Sequence, residues 1–391
     1  MSDVRVIIVG GGPHALAVSC WLTDAGVAPG DLVVIDPSGR FMTSWNASFK
    51  AQGIDRLRSP MVHHPHPDPF ALSKYAEREN RLNEFYGRYR LPGSQLFADF
   101  CLRLVHEFGL DALIKADRVT RVDPDGTVAL VHGGEIRGTH VVLAHNPCRP
   151  VWPTWAHSVP GVRHAAEIRL DEPLPGSVLV IGGGLTAAQL ASGASARGCD
   201  VTLMTRRLPV ARHFDTEAGW LGPREMTGYL AEGDYSRRLS LARQARGGGS
   251  IPPWMLGRLN ALTAEGRLDM LCGEVIETQR GMPLGVTVST ADGGVRNLVV
   301  DEVWLATGWQ TDGRKDPLVG PLLSQRRSRN RASAVEVDGH PVLDRLLRVG
   351  GTQIHVGGRL ATLHLGPTSG NLAGARRLAE CVTESVVGST L

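Results

Sequence analysis

The stretch that most constrains the fold of this chain is Val-Ile-Ile-Val at residues 6–9, followed at once by three glycines at residues 10–12. Four apolar residues in succession indicate a strand buried on both faces, and apolar residues then recur at helical spacing over residues 15–22. The order strand, glycine turn, helix is typical of a dinucleotide-binding unit. A glycine turn in an ordinary α/β domain is the alternative.

Each position of this motif fits a nucleotide-binding role. Gly10 permits the tight turn, Gly12 lets a pyrophosphate approach the backbone, and Ala15 allows the helix to pack close to the strand. We expect Pro13 and His14 to begin the helix and to contact the cofactor, because the free N–H groups and positive dipole end of a helix face bound phosphates.

An acid follows the next strand. The apolar run at residues 32–35 ends in Asp36, 24 residues after Gly12. A carboxylate at this strand end accepts hydrogen bonds from an adenosine ribose, so strand, turn, helix and acid together favour a dinucleotide site. Beyond Asp36 the chain is poor in regular pattern, and Trp45 is a further candidate for cofactor contact.

Composition excludes several classes of protein. The chain has 391 residues, 42% hydrophobic and 21% charged, with a net charge of +3, which is too small to argue for nucleic acid or an anionic membrane. No apolar run reaches the roughly 18 residues that span a bilayer, and the chain begins on a strand with no signal peptide. Six scattered cysteines without a CxxC pair indicate a reducing compartment, so we expect a cytoplasmic protein without a disulfide redox centre.

A proline-rich loop is predicted at residues 61–70, which contain three histidines. No metal site is expected there, because no carboxylate or cysteine stands at the usual ligand spacing, and polar, solvated histidines are common in such loops. Just before it, Arg56 and Arg58 lie where this loop reaches the cofactor. Either arginine could clamp a carboxylate or phosphate, or be solvated or structural.

The glycine device recurs 172 residues further on, at residues 177–187. Its strand is followed by Gly182, Gly184, Leu185 and Thr186, all candidate cofactor-binding residues. The next strand ends in Arg206 and Arg207 instead of an acid. Arginine at this point suits a 2′-phosphate, which favours NADPH over NADH, with a solvated strand end as the alternative. Two dinucleotide sites imply transfer between two cofactors, one of which should be a flavin.

The remaining pattern gives coarse expectations. We predict a helix over residues 93–108, strands over 127–131, 139–144 and 352–358, a polar excursion over 213–253, a flexible charged loop over 324–331, and a final helix after the turn at 366–371. The excursion either covers a substrate pocket or is only a surface insertion. Thr368 or Ser369 is the expected cap of the final helix, whose N-terminus suits the electron-rich side of a flavin ring.

Together these motifs resemble the flavin-dependent N-hydroxylating monooxygenases, the lysine and ornithine N-hydroxylases, within the flavoproteins that have two dinucleotide-binding domains. Four stretches carry the resemblance: the glycine motifs at 10–15 for FAD and 182–187 for NADPH, the segment 301–309 with its D-x3-L-A-T-G-aromatic signature, and the His364-Leu365-Gly366 turn. The resemblance implies that Thr307, Gly308, Gly366 and Pro367 bind cofactor, and it makes Arg58 and His364 candidate catalytic residues.

The chain departs from that family in two places. The loop at residues 53–60 corresponds, by this resemblance, to the loop that holds the amino-acid substrate in that family. Arg58 stands there at the position of the family's substrate-binding lysine. Residues 161–164 match the sequence fingerprint of Baeyer–Villiger monooxygenases only weakly, because no phenylalanine precedes them and no tryptophan follows them.

The fold class expected is α/β with two Rossmann-like dinucleotide-binding domains: an FAD domain in two parts, 1–160 and 301–391, and an NADPH domain inserted at 161–300. The resemblance implies hydride transfer from NADPH to FAD, formation of a C4a-(hydro)peroxyflavin with O2, and oxygenation, most simply N-hydroxylation, of a small amine-containing metabolite. The alternatives are an NADPH oxidoreductase or oxidase serving an external acceptor, a Baeyer–Villiger or S-oxygenating enzyme, and a non-catalytic nucleotide-binding protein. A homo-oligomer is left open.

Overall fold

The computed structural model describes residues 3–329 and 335–388. Its strands, in chain order, are β1 (Asp3–Val9), β2 (Leu32–Asp36), β3 (Phe85–Tyr86), β4 (Leu91–Pro92), β5 (Ile114–Ala116), β6 (Val119–Val122), β7 (Thr127–Leu130), β8 (Glu135–Leu143), β9 (Cys148–Pro150), β10 (Val162–His164), β11 (Ser177–Ile181), β12 (Asp200–Thr205), β13 (Asp269–Gln279), β14 (Leu284–Thr290), β15 (Val295–Val300), β16 (Glu302–Leu305), β17 (Trp309–Thr311), β18 (Glu336–Val337), β19 (His340–Pro341) and β20 (Ile354–Val356).

The α-helices cover the faces of the sheets and the loops between them. They are α1 (Pro13–Asp24), α2 (Thr43–Ala51), α3 (Ala71–Arg78), α4 (Ser94–Glu107), α5 (Leu185–Ala196), α6 (Pro223–Ala231), α7 (Tyr235–Arg246), α8 (Pro253–Ala264), α9 (Val319–Arg329), α10 (Thr362–Leu365) and α11 (Leu372–Val387).

The first sheet has the order β5-β2-β1-β8-β7-β6, and β20 pairs with the second half of β8. Its central strands β5, β2, β1, β8 and β20 are parallel, whereas β7 and β6 extend the sheet in antiparallel pairing. Strand β1 is fully buried over residues 6–8, as the uninterrupted apolar run predicts. Because β2 and β8 lie on opposite sides of β1, the carboxyl ends of these strands leave the crevice where α/β proteins bind ligands.

The second sheet repeats this plan in the order β10-β16-β11-β12-β13-β14-β15. Strands β10, β16, β11, β12 and β13 are parallel, and β14 and β15 complete the sheet as an antiparallel meander. Helix α5 buries its small apolar residues against this sheet, in a core separate from that of the first sheet. The predicted α/β fold with two Rossmann-like domains is therefore confirmed.

One predicted boundary needs correction. Strand β16 was expected to begin the second part of the FAD domain at residue 301, yet it pairs in parallel with β11, Val178 opposite Glu302 and Ile181 opposite Leu305. The second sheet therefore extends past residue 300. We propose a boundary just after Leu305, where the chain returns towards the first sheet through β17.

Three stretches expected to be irregular contain helices. Helix α2 follows Asp36, and α6 and α7 lie within the excursion at 213–253. The charged stretch at 324–331 is also helical up to Arg329, while residues 330 and 331 lie outside the described part of the chain. Its arginines continue a helix that is held to the core by a buried apolar stripe, Leu318, Val319, Leu322 and Leu323.

The structure confirms the predicted local helices and strands but corrects the predicted helix cap and the environment of the histidines. The helix predicted over 93–108 and the three predicted strands are present as α4, β7, β8 and β20. The final helix α11, however, is capped by Asn371, whose side-chain oxygen accepts hydrogen bonds from the amides of Ala373 and Gly374 at 3.0 and 3.3 Å. The histidines at 63–66 were expected to be solvated, but His64 is only 1% exposed and packs its ring edge against Phe100.

In the part of the chain that the structure describes, no helix has the length and apolar character needed to cross a membrane.

Buried histidines should make the protein less stable in mild acid. Burial lowers the pKa of His64 to about 3 and the pKa values of His63, His355 and His364 to about 4. An unfolded histidine has a pKa of about 6.5, so the unfolded chain binds more protons as the pH falls. We expect the free energy of unfolding to fall between about pH 7 and about pH 5, by on the order of 1–2 kcal/mol per histidine.

Urea unfolding at constant ionic strength measures this dependence. The variant His64→Gln removes one titrating group and should make the dependence on pH shallower than in the parent protein. A free energy of unfolding that is the same or larger at the lower pH would contradict the prediction.

Candidate cofactor and substrate site

The first glycine turn is held against the backbone of the neighbouring strand. Gly10 has φ +106°, and a Cβ there would lie 3.2 Å from the carbonyl carbon and oxygen of Ala144, so only glycine fits. Gly12 precedes α1, and no heavy atom lies within 4 Å of where its Cβ would be. No side chain caps this helix, which begins at Pro13. The turn therefore leaves the helix N-terminus open to a phosphate, and the residues present fit a dinucleotide.

Asp36 helps to hold this turn in place. Its Oδ2 accepts a hydrogen bond from the Gly11 amide at 2.8 Å, and its Oδ1 accepts from the amide and hydroxyl of Ser38 at 2.9 and 2.6 Å. A carboxylate has about four lone-pair sites, so Asp36 keeps acceptor capacity for a ribose hydroxyl.

Two further candidates of the first domain lie on helices. His14 donates a hydrogen bond from Nε2 to the Ser369 carbonyl at 3.0 Å, and burial lowers its pKa, which keeps the ring neutral. This contact joins the glycine turn to the segment before α11. Trp45 lies on α2 and stacks on Phe49 with ring centroids 4.6 Å apart. Ala15 is completely buried, as its predicted packing role requires.

Two buried polar atoms beside this crevice have no hydrogen-bond partner in the described chain: Nδ1 of His145 and Oγ1 of Thr368. His145 directly follows Ala144, and its Nε2 is 2.9 Å from Oδ2 of Asp316. Burial opposes ionisation of Asp316, but the hydrogen bond from His145 and the amides of Leu318 and Val319 outweigh it and lower its pKa. Buried polar atoms are normally paired, so both orphans are suited to a polar ligand such as a flavin.

The turn before α11 is tightly built. Gly366 has φ +70°, and a Cβ there would lie 2.7 Å from the sulfur of Met226. Pro367 uses its carbonyl to accept a hydrogen bond from Arg246 at 2.9 Å. The segment predicted to contact the flavin is thus packed against α6 and bonded to α7, two helices of the excursion.

The second glycine turn copies the first. A Cβ on Gly182 would lie 2.5 Å from the carbonyl oxygen of Ala306, which follows the neighbouring strand β16. Gly183 has open space beside it, and Gly184 precedes α5 with no side-chain cap. Leu185 and Thr186 form the first turn of that helix. These residues fit a second dinucleotide, and at neither turn does a side chain fill the space beside Gly12 or Gly183.

A triple-glycine segment, residues 247–249, lies on the second turn. A Cβ on Gly249 would come within 3.3 Å of the Gly184 Cα and 3.4 Å of its amide nitrogen. Arg207 donates hydrogen bonds to the Gly247 carbonyl and, at 3.5 Å, to the Gly249 carbonyl. Arg206 is exposed and has no hydrogen bond or ion pair within the described chain. The two arginines therefore differ, and Arg206 is the one left free for a phosphate.

The signature segment at residues 301–309 connects the two domains. The Thr307 hydroxyl donates to the carbonyl of Val151, and Gly308 turns the chain with φ +92°. Strands β17 and β9 then pair in antiparallel fashion, Trp309 opposite Pro150, so that both crossings between the domains lie side by side.

The candidate catalytic residue Arg58 is bonded entirely within the protein. Its guanidinium donates to Oδ1 of Asp215 at 3.0 Å, to Ser250, and to the carbonyls of residues 212–214. All five N–H groups are used, so none is left for a substrate carboxylate. The predicted clamp role does not fit this geometry: Arg58 fixes the loop at 53–60 to the second domain.

His364 is likewise a structural residue in this arrangement. Its Nε2 accepts a hydrogen bond from the Leu343 amide at 3.0 Å. Burial lowers its pKa to about 4, so the ring is neutral and cannot serve as a proton donor near neutral pH from that nitrogen.

A cavity of about 450 Å³ lies where the two domains and the excursion meet. Its walls come from the linking strands, α7, the segment 338–340 and the turn before α11, and include Trp309, Asp338, Arg246, Arg359, Pro367 and Ser369. The cavity as a whole is not predictable from the sequence, although Trp309, Pro367 and Ser369 in its wall belong to segments that the sequence assigns to the cofactor. Nothing in the sequence near Arg359 marks it as a site residue.

These features define the class of protein: a chain with two Rossmann-like domains, each with a glycine turn before its first helix, and a cavity at their junction. The pyridine nucleotide-disulphide oxidoreductase family model matches residues 177–227, which contain the second glycine turn. No curated protein matches the chain significantly.

Several solved structures that share the whole fold are N-hydroxylating enzymes. The ornithine N-hydroxylase KtzI of Kutzneria sp. 744, solved with reduced FAD, NADP+ and L-ornithine, has a TM-score of 0.78 at 18% identity over 98% of this chain and 99% of its own. L-lysine 6-monooxygenase of Pseudomonas syringae has 0.74 at 19%, over 99% and 100%. The FAD-bound cadaverine monooxygenase DfoA of Erwinia amylovora has 0.77 at 16%, over 99% and 95%. This chain thus shares its fold with these three enzymes.

The contact between the triple glycine and the second turn can be tested with Gly249→Ala. We expect weaker NADPH binding, seen as a KM for NADPH raised roughly tenfold, because the new methyl group presses on Gly184 and positive φ adds strain.

Gly248→Ala is the matched control. Gly248 also has positive φ, but a Cβ there meets only the flexible end of Arg207. Equal KM values for the two variants would contradict a specific effect on the turn.

Proposed function

We propose that this protein is an NADPH- and FAD-dependent monooxygenase that N-hydroxylates a small amine-containing metabolite. The observation that carries the proposal is the presence of two glycine turns, each followed by a helix without a side-chain cap, in domains that meet at one cavity. The reaction balances as R–NH2 + O2 + NADPH + H+ → R–NHOH + H2O + NADP+.

Some residues of the site would bind the two cofactors, and those of the cavity would enclose the amine. The first turn and Asp36 would hold FAD, with His145 and Thr368 meeting its polar groups; the second turn and Arg206 would hold NADPH. The flavin supplies the hydride acceptor and the oxygen-activating chemistry when bound, so no protein nucleophile is needed. The protein's task at the cavity is to place the amine and exclude water, because water exposure favours release of hydrogen peroxide.

The structural neighbours support this choice over electron transfer to an external acceptor. The substrates for which they are named, ornithine, lysine and cadaverine, are all primary amines. The chain also lacks a CxxC pair, which a disulfide reductase would use. We further propose a cytoplasmic enzyme that uses a small-molecule substrate and O2 and needs no nucleic acid or membrane; a homo-oligomer is compatible with this reading.

The test is anaerobic reduction by NADPH followed by admission of oxygen in the presence of candidate amines. We expect a yellow protein that NADPH bleaches, and a hydroxylamine product detected by mass spectrometry in proportion to the NADPH consumed.

Gly12→Val is the control for this experiment. No protein atom lies within 4 Å of where a Cβ at Gly12 would be, so the fold should persist while flavin binding is lost. Hydrogen peroxide alone, with every amine tested, would instead indicate an oxidase. A colourless protein that binds neither cofactor would indicate a non-catalytic nucleotide-binding role.

Preference for NADPH should depend on Arg206. We expect Arg206→Ala to raise the KM for NADPH roughly ten- to a hundred-fold while hardly changing the KM for NADH, because only NADPH has the 2′-phosphate. Arg207→Ala removes the neighbouring charge and should affect both nucleotides alike through the triple glycine. Equal effects of Arg206→Ala on both nucleotides would count against the phosphate role.

A further inference from the structure

The cavity between the domains contains more positive than negative charge. Four arginines line it, against two aspartates and a histidine: Arg243, Arg246, Arg314, Arg359, Asp312, Asp338 and His340. Burial lowers the pKa of His340, so that ring is neutral. Both aspartates are matched by arginine: Arg314 pairs with Asp312 at 2.8 Å, and Arg243 pairs with Asp338. The two remaining arginines, Arg246 and Arg359, thus provide the excess charge.

Arg359 has no hydrogen bond or ion pair for its guanidinium within the described chain. It follows β20, at the carboxyl edge of the first sheet, where ligands of this fold are bound. Its stem packs on Gly370, where a Cβ would come within 2.6 Å of the Arg359 Cγ. The backbone and stem are therefore fixed while the charged end lies free in the cavity.

Arg246 is only partly satisfied. Nη1 donates to the Pro367 carbonyl at 2.9 Å, and Nη2 lies 3.7 Å from an Asp215 oxygen. That aspartate already forms a shorter ion pair with Arg58, at 3.0 Å. Burial and the nearby charge of Arg359 both lower the pKa of Arg246, although Asp215 opposes them. Both guanidinium groups line the same cavity, so their like charges repel each other across it.

An oxyanion between these two groups would turn that repulsion into attraction. The planar guanidinium donates paired N–H groups that match a carboxylate or phosphate, and such bonds strengthen where water is excluded. Arg58 cannot supply this contact, because all its N–H groups are used elsewhere.

We propose that Arg246 and Arg359 form an anion anchor that holds a carboxylate or phosphate group of the substrate in this cavity. The proposal rests on the proposed function, and it names a feature of the substrate: a negatively charged group in addition to the amine. Pro367 also lines the cavity, so an anchored substrate lies beside the segment predicted to contact the flavin.

The test compares binding of amines with and without the anionic group, using isothermal titration of the purified FAD-loaded protein without NADPH. One pair is lysine and cadaverine, which differ by a carboxylate; the other is phosphoethanolamine and ethanolamine, which differ by a phosphate. We expect tighter binding of the anionic member of at least one pair, and the pair that responds identifies the group. Arg359→Gln should reduce that preference roughly ten- to a hundred-fold.

Two variants keep the result specific. Arg359→Lys retains the charge and should keep part of the preference. Arg314→Gln removes the same charge from the same cavity but from an arginine already paired with Asp312, and should leave the preference intact. An equal loss of the preference in Arg314→Gln would mean that the overall positive charge of the cavity, and not a specific contact with Arg359, favours the anion. That result would overturn the proposal.

Other outcomes would also overturn it. No preference in either pair means that the cavity does not read an anion. A changed flavin reduction potential in Arg359→Gln with unchanged preference would assign the arginine to the flavin, and a raised KM for NADPH alone would assign it to the nucleotide. Failure of the proposed function is separate, because binding is measured without turnover: preference could persist in a protein that forms only hydrogen peroxide.

Discussion

Close backbone contact at two glycines is the constraint on which the rest of this structure depends. Gly10 lies against the chain that follows β8, and Gly182 lies against the chain that follows β16: a Cβ would come within 3.2 Å of backbone atoms at Gly10 and within 2.5 Å at Gly182. Each contact brings a helix N-terminus that has no side-chain cap to the carboxyl edge of a parallel sheet. The two domains therefore present the same kind of phosphate-binding end, and their positions relative to each other decide what those ends can do together.

Arginine contacts fix that relation between the domains. Arg58 of the first domain donates hydrogen bonds to the carbonyls of residues 212–214, and Arg246 of the excursion donates one to the carbonyl of Pro367. Asp215 contacts both guanidinium groups and thereby links the two connections. A buried arginine with every N–H group satisfied is costly to displace, since its removal would leave several carbonyls without donors. Arg246, which also lines the cavity, is therefore part of the connection between the excursion and the first domain.

Much of the fold was predictable because it depends on local pattern. The apolar runs before both glycine turns specify buried strands, and the turns themselves specify their helices. The boundary after residue 300 was misplaced because β16 joins its sheet through a partner distant in sequence, which periodicity cannot reveal. The charged stretch at 324–331 was wrongly predicted as a loop for a related reason. Its arginines favour an exposed loop, but they continue a helix that apolar residues just before them hold to the core.

The candidate site divides in the same way. Glycines and strand-end residues have roles set by neighbouring residues, so sequence alone could propose them, although their contacts with cofactors remain proposals. Arginines differ, because a guanidinium's role depends on which acceptors the fold brings to it. The sequence alone does not distinguish Arg58 from Arg359. In the structure, Arg58 has hydrogen-bond acceptors for all its N–H groups, whereas the guanidinium of Arg359 has none in the described chain. An unmatched charge at a domain junction is therefore information that only the three-dimensional arrangement contains, and it indicates the charge of a ligand that would fit there.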